Sequence, residues 1–129
     1  MSSILSQLFH KTTPKQSTFS LPKRIIFVRH GESLGNVDER AYSETPDWKI
    51  SMTKRGFRQA ENAGHRLIEL CRNETVFAYV SPYQRTMQTF QTMKSKIEAE
   101  SPPPLELIGW RQEPRIAEQQ FGNFQVSTK

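Results

Sequence analysis

The stretch R-I-I-F-V-R-H-G-E-S-L-G-N, residues 24–36, decides the fold. Its apolar, β-branched run Ile25–Val28 ends at a glycine turn, a pattern that predicts a buried strand of a parallel sheet. Arg29 and His30 follow the carboxyl end of that strand, where open α/β sheets bind their ligands. A guanidinium fork can hold two phosphate oxygens while an imidazole nitrogen attacks phosphorus. These residues therefore predict an anion site at this turn.

The longest helical pattern lies at residues 53–70, where apolar side chains recur at spacings of three and four. The small residues Ala60 and Gly64 belong to this apolar stripe, so we expect them to let the helix lie close to a sheet. His65 lies off the stripe, and a surface position is expected for it.

Two further strands are predicted, at residues 76–80 and 105–108. Between them Ser81 is a good N-cap and Pro82 suits the first position of a helix. Strands and helices therefore alternate over residues 24–108. Right-handed crossovers would make the three strands parallel and place the helices on the faces of the sheet. The fold class is predicted to be α/β.

Arg85 is expected in the first turn of the second helix, where free backbone N–H groups already favour an anion. A positive side chain is disfavoured at that position, which favours a bound anion; an ordinary salt bridge is the alternative. Glu113 and Glu118 follow the third strand. Because the carboxyl ends of parallel strands meet at one edge of the sheet, we expect these groups to converge with Arg29 and His30.

The connection at residues 37–52 is polar and has no sustained period. Loops that follow sheet strands often shape substrate choice, so Arg40 and Tyr42 are candidate substrate-loop residues. Trp48 is a candidate for the same wall. For Trp48 and Ile50, however, the favoured expectation is that they cover and plug the core.

Composition limits the classes of function. The chain has 129 residues, enough for one domain, and a net charge of +5. That charge would attract nucleic acid or a small phosphorylated substrate, but no nucleic-acid motif is present, so no specific nucleic acid is expected. No apolar run approaches the ~20 residues of a membrane span. The single Cys71 has no His or Cys neighbour at ligand spacing, so no metal site is expected.

The chain divides into two segments. Residues 1–22 contain no acidic residue and are typical of a polar, basic, disordered lead-in. An organelle transit peptide is the alternative, which the absence of arginine before Arg24 weakens. Residues 23–129 form the predicted domain. A chain with one cysteine fits a reducing compartment, and the expected location is the cytoplasm. The oligomeric state is left open.

Four sequence blocks resemble motifs of the histidine phosphatase superfamily, in its phosphoglycerate mutase-like branch. They occur in the family's order, and the resemblance implies a three-layer sandwich with a mostly parallel sheet. The blocks are V-R-H-G-E-S-x-x-N at 28–36, T-K-R-G-x-x-Q-A at 53–60, S-P-Y-Q-R-T-x-Q-T at 81–89 and E-Q-Q-F-G-N-F-Q at 118–125.

The resemblance also implies roles for the site residues. His30 would be the nucleophile that becomes phosphorylated. Arg29, Arg85 and Asn36 would hold the phosphoryl oxygens. Glu118 would protonate the leaving alcohol, and it is favoured over its rival acid because it alone matches the family's E-x-x-x-G pattern. Such a site suits phosphoryl transfer from a small phosphorylated substrate, and it implies no metal and no cofactor.

The sequence departs from the family in its histidines and its length. The family has a second histidine in an H-G motif after a later strand, and neither His10 nor His65 lies in such a motif. The chain stops before the family's remaining strands, so we expect a domain that is incomplete at the C-terminus, a truncated form.

Two departures concern the choice of reaction. The Thr-Gly-Trp motif of the mutases is absent from residues 41–51, and Phe121 stands where glycolytic mutases usually carry tyrosine. Both favour a phosphatase that acts through a phosphohistidine intermediate. The alternatives are a non-catalytic chain that binds a phospholigand or a partner, and phosphoglycerate mutase-type phosphoryl transfer.

Overall fold

The computed structural model describes residues 21–119. The predicted segment 1–22 therefore lies almost entirely outside the described residues, as does the part of the fourth motif after Gln119. Two short helices and a 3₁₀ turn come first; from the third helix onward helices and strands alternate, and a second 3₁₀ turn follows the last strand. The elements are α1 (Leu34–Val37), α2 (Ala41–Glu44), a 3₁₀ turn (Asp47–Lys49), α3 (Lys54–Cys71), β1 (Thr75–Val80), α4 (Gln84–Glu98), β2 (Glu106–Gln112) and a 3₁₀ turn (Pro114–Ile116).

Strands β1 and β2 pair in parallel, with Thr75 opposite Glu106 and Val80 opposite Gln112. Helix α4 makes the connection between them, as a parallel pair requires. The prediction of an α/β fold with a parallel sheet is confirmed. The register shifts once, after Val76, beside Gly109 in the partner strand.

Helices α3 and α4 pack against each other through a close approach at Gly64. A Cβ atom placed on Gly64 would lie 3.2 Å from the Cα atom of Met93 and 3.2 Å from the Cβ atom of Lys96. Gly64 therefore makes room for α4, and for this residue the expectation of contact with a sheet is wrong. The reason is that α3 meets α4 along the stripe that the sequence showed as small and apolar.

A compact apolar cluster joins the ends of α3 and α4 to the start of β2. Its most deeply buried member is Leu105, and the free thiol of Cys71 is buried in the same cluster. Burial of apolar area is what stabilises this junction. The cluster consists of Ile68, Cys71, Ile97 and Leu105, with Leu67 and Val76 packed against it.

The segment Ile25–Val28 is not a buried strand. None of the described residues forms backbone hydrogen bonds with it, and Phe27 is 93% exposed. The segment is fixed just before it begins, where Lys23 and Arg24 both pair with Glu74. An apolar, β-branched run favours extended backbone, but burial also needs neighbouring strands, and none pairs with it within residues 21–119.

Helix α4 begins later than predicted. The backbone carbonyl oxygen of Tyr83 accepts the first helical hydrogen bonds, from Thr86 and Met87, so Tyr83 is the N-cap and Ser81 is not. Ser81 and Pro82 form the turn that leaves β1. Helix α4 is therefore shorter at its N-terminus than predicted, but Arg85 still lies in its first turn.

Two glycines bring the turn after Arg29 and His30 against the start of α3. A Cβ atom placed on Gly31 would overlap the backbone carbonyl of Gly56, and one placed on Gly56 would overlap the carbonyl oxygen of Glu32. The backbone N–H of Thr53 also donates to the Glu32 carbonyl oxygen, at 2.9 Å. The position of the turn relative to α3 is therefore set by backbone contact.

Candidate active site

His30 is oriented by its own turn. Its Nδ1 atom lies 2.8 Å from the carbonyl oxygen of Gly31. A carbonyl oxygen only accepts, so Nδ1 carries the hydrogen and Nε2 keeps its lone pair in the neutral ring. The turn therefore presents Nε2 as the nitrogen available for nucleophilic attack.

An open cavity of about 430 Å³ lies beside His30. The structure thus brings together three of the predicted site residues: His30, Arg29 and Asn36. Asn36 Oδ1 accepts hydrogen bonds from the backbone N–H of Ser33 at 2.9 Å and from its hydroxyl at 3.0 Å. Those bonds leave the donor end of the Asn36 amide, Nδ2, for an anion. The cavity is lined by Arg29, His30, Glu32, Asn36 and Gln59.

Two cavity residues, Glu32 and Gln59, were not singled out from the sequence. Gln59 Oε1 accepts the backbone N–H of Glu32 at 2.8 Å, and Arg55 pairs with the Glu32 carboxylate. Both cavity residues lie inside the quoted motif blocks, at 28–36 and 53–60. The motif blocks contain both residues, but the sequence alone does not show which polar residues of a block face the cavity.

Arg85 is almost fully buried, with 2% of its side chain exposed, and it is held by carboxylates. Its Nη1 donates to Asp47 twice, to the backbone oxygen and to Oδ1, both at 2.8 Å. Its Nη2 donates to Glu118 Oε2 at 2.7 Å. Burial lowers the pKa of the guanidinium, but the bonds to Glu118 and Asp47 outweigh it, and the net pKa lies above its ordinary value. The structure therefore shows the salt-bridge alternative for Arg85, with Asp47 and Glu118 as its partners.

Thr89 connects the two halves of the site. Its hydroxyl accepts the backbone N–H of Gly31 at 3.0 Å and donates to the carbonyl oxygen of Arg85 at 2.8 Å. One buried side chain of α4 thus contacts both the turn of His30 and the backbone of Arg85. Arg85, Glu113 and Glu118 are not among the residues that line the cavity, so their convergence with Arg29 and His30 stays a prediction.

The two predicted substrate-loop residues lie in different surroundings. Burial raises the pKa of Tyr42, and the charge of Arg85 opposes that rise. The Tyr42 ring lies against Gly35, where a Cβ atom would overlap it. Arg40 instead pairs with Asp38 at 3.1 Å on the surface, outside the cavity lining. Neither Tyr42 nor Arg40 is among the residues that line the cavity, although Tyr42 packs against Gly35, next to the cavity residue Asn36.

The loop at residues 37–52 buries Ile50 but leaves Trp48 exposed. Ile50 is fully buried and confirms the expectation that it plugs the core. Trp48 is 53% exposed and lies under the ammonium group of Lys49, at 4.8 Å from ring centroid to nitrogen, so the expectation of burial for Trp48 is wrong. The lysine ammonium covers part of the indole. The attraction between a cation and an aromatic ring stabilises this arrangement at the surface.

Glu113 and Glu118 pair with different arginines. The Arg115 guanidinium donates a hydrogen bond to each oxygen of the buried Glu113 carboxylate, both at 2.8 Å. These bonds lower the pKa of Glu113 from 4.5 to about 2. A carboxyl group with that pKa cannot hold a proton near neutrality, which argues against Glu113 as a general acid. Glu118 is 54% exposed and reaches Arg85. Its assignment as the acid stays a prediction.

His65 lies on the exposed face of α3, as expected. Across residues 21–119, no three His, Cys, Asp or Glu side chains are grouped so that they could hold a metal ion. In the same part of the chain, no helix is both long enough and apolar enough to cross a membrane.

Comparison with known proteins identifies the family. Residues 25–129 match the model of the Histidine phosphatase superfamily (branch 1). The chain belongs to this superfamily, and its predicted place in the phosphoglycerate mutase-like branch is confirmed by the relatives described next.

Two curated relatives come from Arabidopsis thaliana. Phosphoglycerate mutase-like protein AT74 is 47% identical over 115 residues, which cover 84% of this chain and 35% of that protein. Phosphoglycerate mutase-like protein AT74H is 43% identical over 118 residues, which cover 84% and 40%. The chain thus spans little more than a third of the length of these relatives. SixA from Agrobacterium tumefaciens, a solved structure, has 13% identity and a TM-score of 0.41 over 64% of this chain and 46% of that chain.

Proposed function

We propose that this chain carries the site of a phosphomonoesterase that needs no metal ion and works through a phosphohistidine at His30. The observation that best supports it is the 2.8 Å contact between His30 Nδ1 and the Gly31 carbonyl oxygen, which leaves Nε2 as the nucleophile. Membership of the histidine phosphatase superfamily supports phosphoryl transfer in general.

The reaction proceeds in two steps. Nε2 of His30 attacks phosphorus, the bond from phosphorus to the ester oxygen breaks, and Glu118 gives the departing alkoxide its proton. A water molecule then attacks the phosphohistidine, the bond from phosphorus to nitrogen breaks, and Glu118 takes the water's proton. Arg29 and Arg85 neutralise charge on the phosphoryl oxygens, the main contribution that a protein makes to such a reaction.

The cavity supports a small substrate. About 430 Å³ falls in the size range of small-molecule sites, and the lining residues offer donors from Arg29 and Asn36 for one phosphoryl group. A small phosphate monoester is the substrate class we propose. Phosphoglycerate mutase-type transfer is the alternative reaction, since both curated relatives are described as phosphoglycerate mutase-like.

The test is covalent labelling. The chain is incubated with a radiolabelled phosphate monoester, and we expect a label on the protein that is stable in alkali and labile in acid. His30→Ala should lose the label, while His65→Ala, at the exposed histidine of α3, should keep it. An unlabelled intact chain, or a label that survives His30→Ala, contradicts the proposal. Transfer of the label to a second phosphoglycerate molecule instead of water favours the mutase reaction.

A second candidate is a chain that binds a phospholigand without turnover. It rests on the cavity lining, where His30 is the only histidine among the described residues. This candidate predicts that inorganic phosphate raises the melting temperature through Arg29 and Arg85 while no label reaches His30. Hydrolysis that depends on His30 would exclude it.

A further inference from the structure

Arg85 is held from two sides that differ in the number of hydrogen bonds and in exposure to solvent. Asp47 engages Nη1 with its backbone oxygen and with its carboxylate, whereas Glu118 engages Nη2 through one oxygen. The Asp47 side chain is 16% exposed and that of Glu118 is 54% exposed. The first contact is doubled and shielded from solvent, and the second is single and open to it.

Asp47 is also fixed by its neighbours in the chain. Its backbone oxygen accepts the N–H of Ile50 at 3.2 Å, and Ile50 is fully buried. Just beyond, the N–H of Met52 donates to Gln88 Oε1 on α4 at 2.8 Å. Movement of Asp47 away from Arg85 would therefore disturb a buried side chain and the attachment of its loop to α4.

Glu118 has no comparable anchor among the described residues. Its backbone oxygen has one long contact, 3.4 Å from the Tyr83 hydroxyl. A half-exposed carboxylate regains its hydration when it leaves, so its departure costs little by itself. The Arg85 side is different. Asp47 still neutralises the guanidinium through Nη1, but the buried Nη2 would lose its acceptor, which is destabilising. The group that replaces Glu118 must supply an acceptor oxygen, and an anion makes the stronger hydrogen bond to this charged donor.

A phosphoryl group meets that requirement. It is an anion with several acceptor oxygens, and a guanidinium binds phosphate and carboxylate with the same planar geometry. We infer that Asp47 is a positioning residue that holds Arg85 in place, and that Glu118 is an internal anion which a phosphoryl group displaces from Arg85 Nη2. The inference rests on the proposed function in one respect, that Arg85 binds the phosphoryl group.

Displacement would also connect binding with catalysis. A general acid must present a proton to the leaving oxygen, and an ion pair with arginine engages the carboxylate instead. Glu118 can serve as the acid only after it leaves Arg85. The arrival of the phosphoryl group on Nη2 thus releases the residue that the next step requires.

The test compares inorganic phosphate binding by two variants, using titration calorimetry. Glu118→Gln weakens the competitor, so phosphate should bind roughly two- to tenfold more tightly than to the parent chain. Asp47→Asn loosens the anchor, so phosphate should bind roughly tenfold more weakly. Each substitution removes one negative charge beside the same arginine. A general field effect would strengthen binding in both variants, and opposite signs therefore distinguish the two explanations.

Glu98→Gln is the matched control, because Glu98 lies at the far end of α4 and pairs with Lys94. It removes the same charge and should leave phosphate binding unchanged. Arg85→Lys combined with Glu118→Gln should abolish the gain, since the competition is for Nη2. In the hydrolysis assay, Asp47→Asn should raise KM far more than it lowers kcat. A general loss of folding would lower the amount of active protein and leave KM unchanged.

The inference is overturned if Glu118→Gln binds phosphate no more tightly than the parent chain, if Asp47→Asn binds it as tightly as the parent, or if none of the proteins binds it. These outcomes are separable from failure of the proposed function. A chain that never labels His30 can still show the opposite shifts in phosphate binding. A chain that labels normally but shows no shift refutes this inference alone.

Discussion

The hydroxyl of Thr53 donates to Glu32 Oε1 at 2.8 Å and accepts the backbone N–H of Gly56 at 3.1 Å. One side chain thus caps helix α3 and fixes the orientation of a residue that lines the cavity beside His30. The position of the Glu32 carboxylate depends on where α3 begins.

Replacing Thr53 with alanine should lower the free energy of unfolding by about 1 kcal/mol, the usual value of an N-cap. It should also leave the Glu32 carboxylate with Arg55 as its remaining side-chain partner. Urea denaturation measures the first effect. Thr53→Ser keeps the hydroxyl and should retain the stability of the parent chain; an equal loss in both variants would contradict the capping role.

Thr89→Val removes the hydroxyl that connects the His30 turn to α4 while keeping nearly the same shape. The N–H of Gly31 loses its acceptor, and an unsatisfied buried donor costs roughly 1–3 kcal/mol of stability. We also expect slower labelling of His30, because the turn is no longer held beside Arg85. Thr92→Val is the control, since the Thr92 hydroxyl bonds only to the Gln88 carbonyl oxygen one turn along the helix. It should leave the labelling rate unchanged.

Glu113 should make stability depend on pH in the acid range. Its hydrogen bonds with Arg115 lower its pKa from 4.5 to about 2, so the native state favours the carboxylate. The stabilisation is fully present above the ordinary pKa of 4.5 and is lost as the pH falls through about 2. Glu113→Gln should therefore be less stable than the parent near neutrality, and the difference should shrink below that ordinary pKa. Thermal melts across the acid range measure it; a difference that stays constant with pH would refute the assignment.

Leu105→Ala should create a cavity where α3, α4 and β2 meet. Large-to-small changes at such buried sites cost about 2–5 kcal/mol, and Leu105 is among the most deeply buried side chains described. Ile108→Ala, in strand β2 three residues further on but 59% exposed, should change stability by no more than about 0.5 kcal/mol. Urea denaturation measures the free energy of unfolding of both variants. The comparison is valid where that free energy falls with urea concentration at a similar rate in both.

Local patterns predicted the regular elements well. Helix α3 begins one residue after the predicted position at Thr53, and β1 matches its predicted range to within one residue. Strand β2 begins one residue later than predicted and continues to Gln112, four residues beyond the apolar run. These elements are decided by nearby side chains, whose period can be read directly. The run Ile25–Val28 has the same local signal and yet stays exposed. Burial of a parallel strand depends on partners distant in sequence, which a local pattern does not contain.

Of the predicted site residues, Arg29, His30 and Asn36 line one cavity, whereas Arg40 does not reach it. Arg85 lies in the first turn of α4, as the sequence predicts. That its partners are Asp47 and Glu118 could not be predicted. Asp47 lies in an irregular loop without a period, and its approach to Arg85 depends on how Ile50 is buried.

The mutual approach of Gly31 and Gly56 provides a criterion for judging related sequences. Each glycine contributes only a hydrogen where any other residue would place a carbon atom into the opposite backbone. A homologue that keeps the Arg-His pair but carries a side chain at the position of Gly56 must open the turn from α3 and move its histidine. If the proposed phosphohistidine reaction holds, related sequences can therefore be screened for it at Gly56, a helix residue outside the cavity lining.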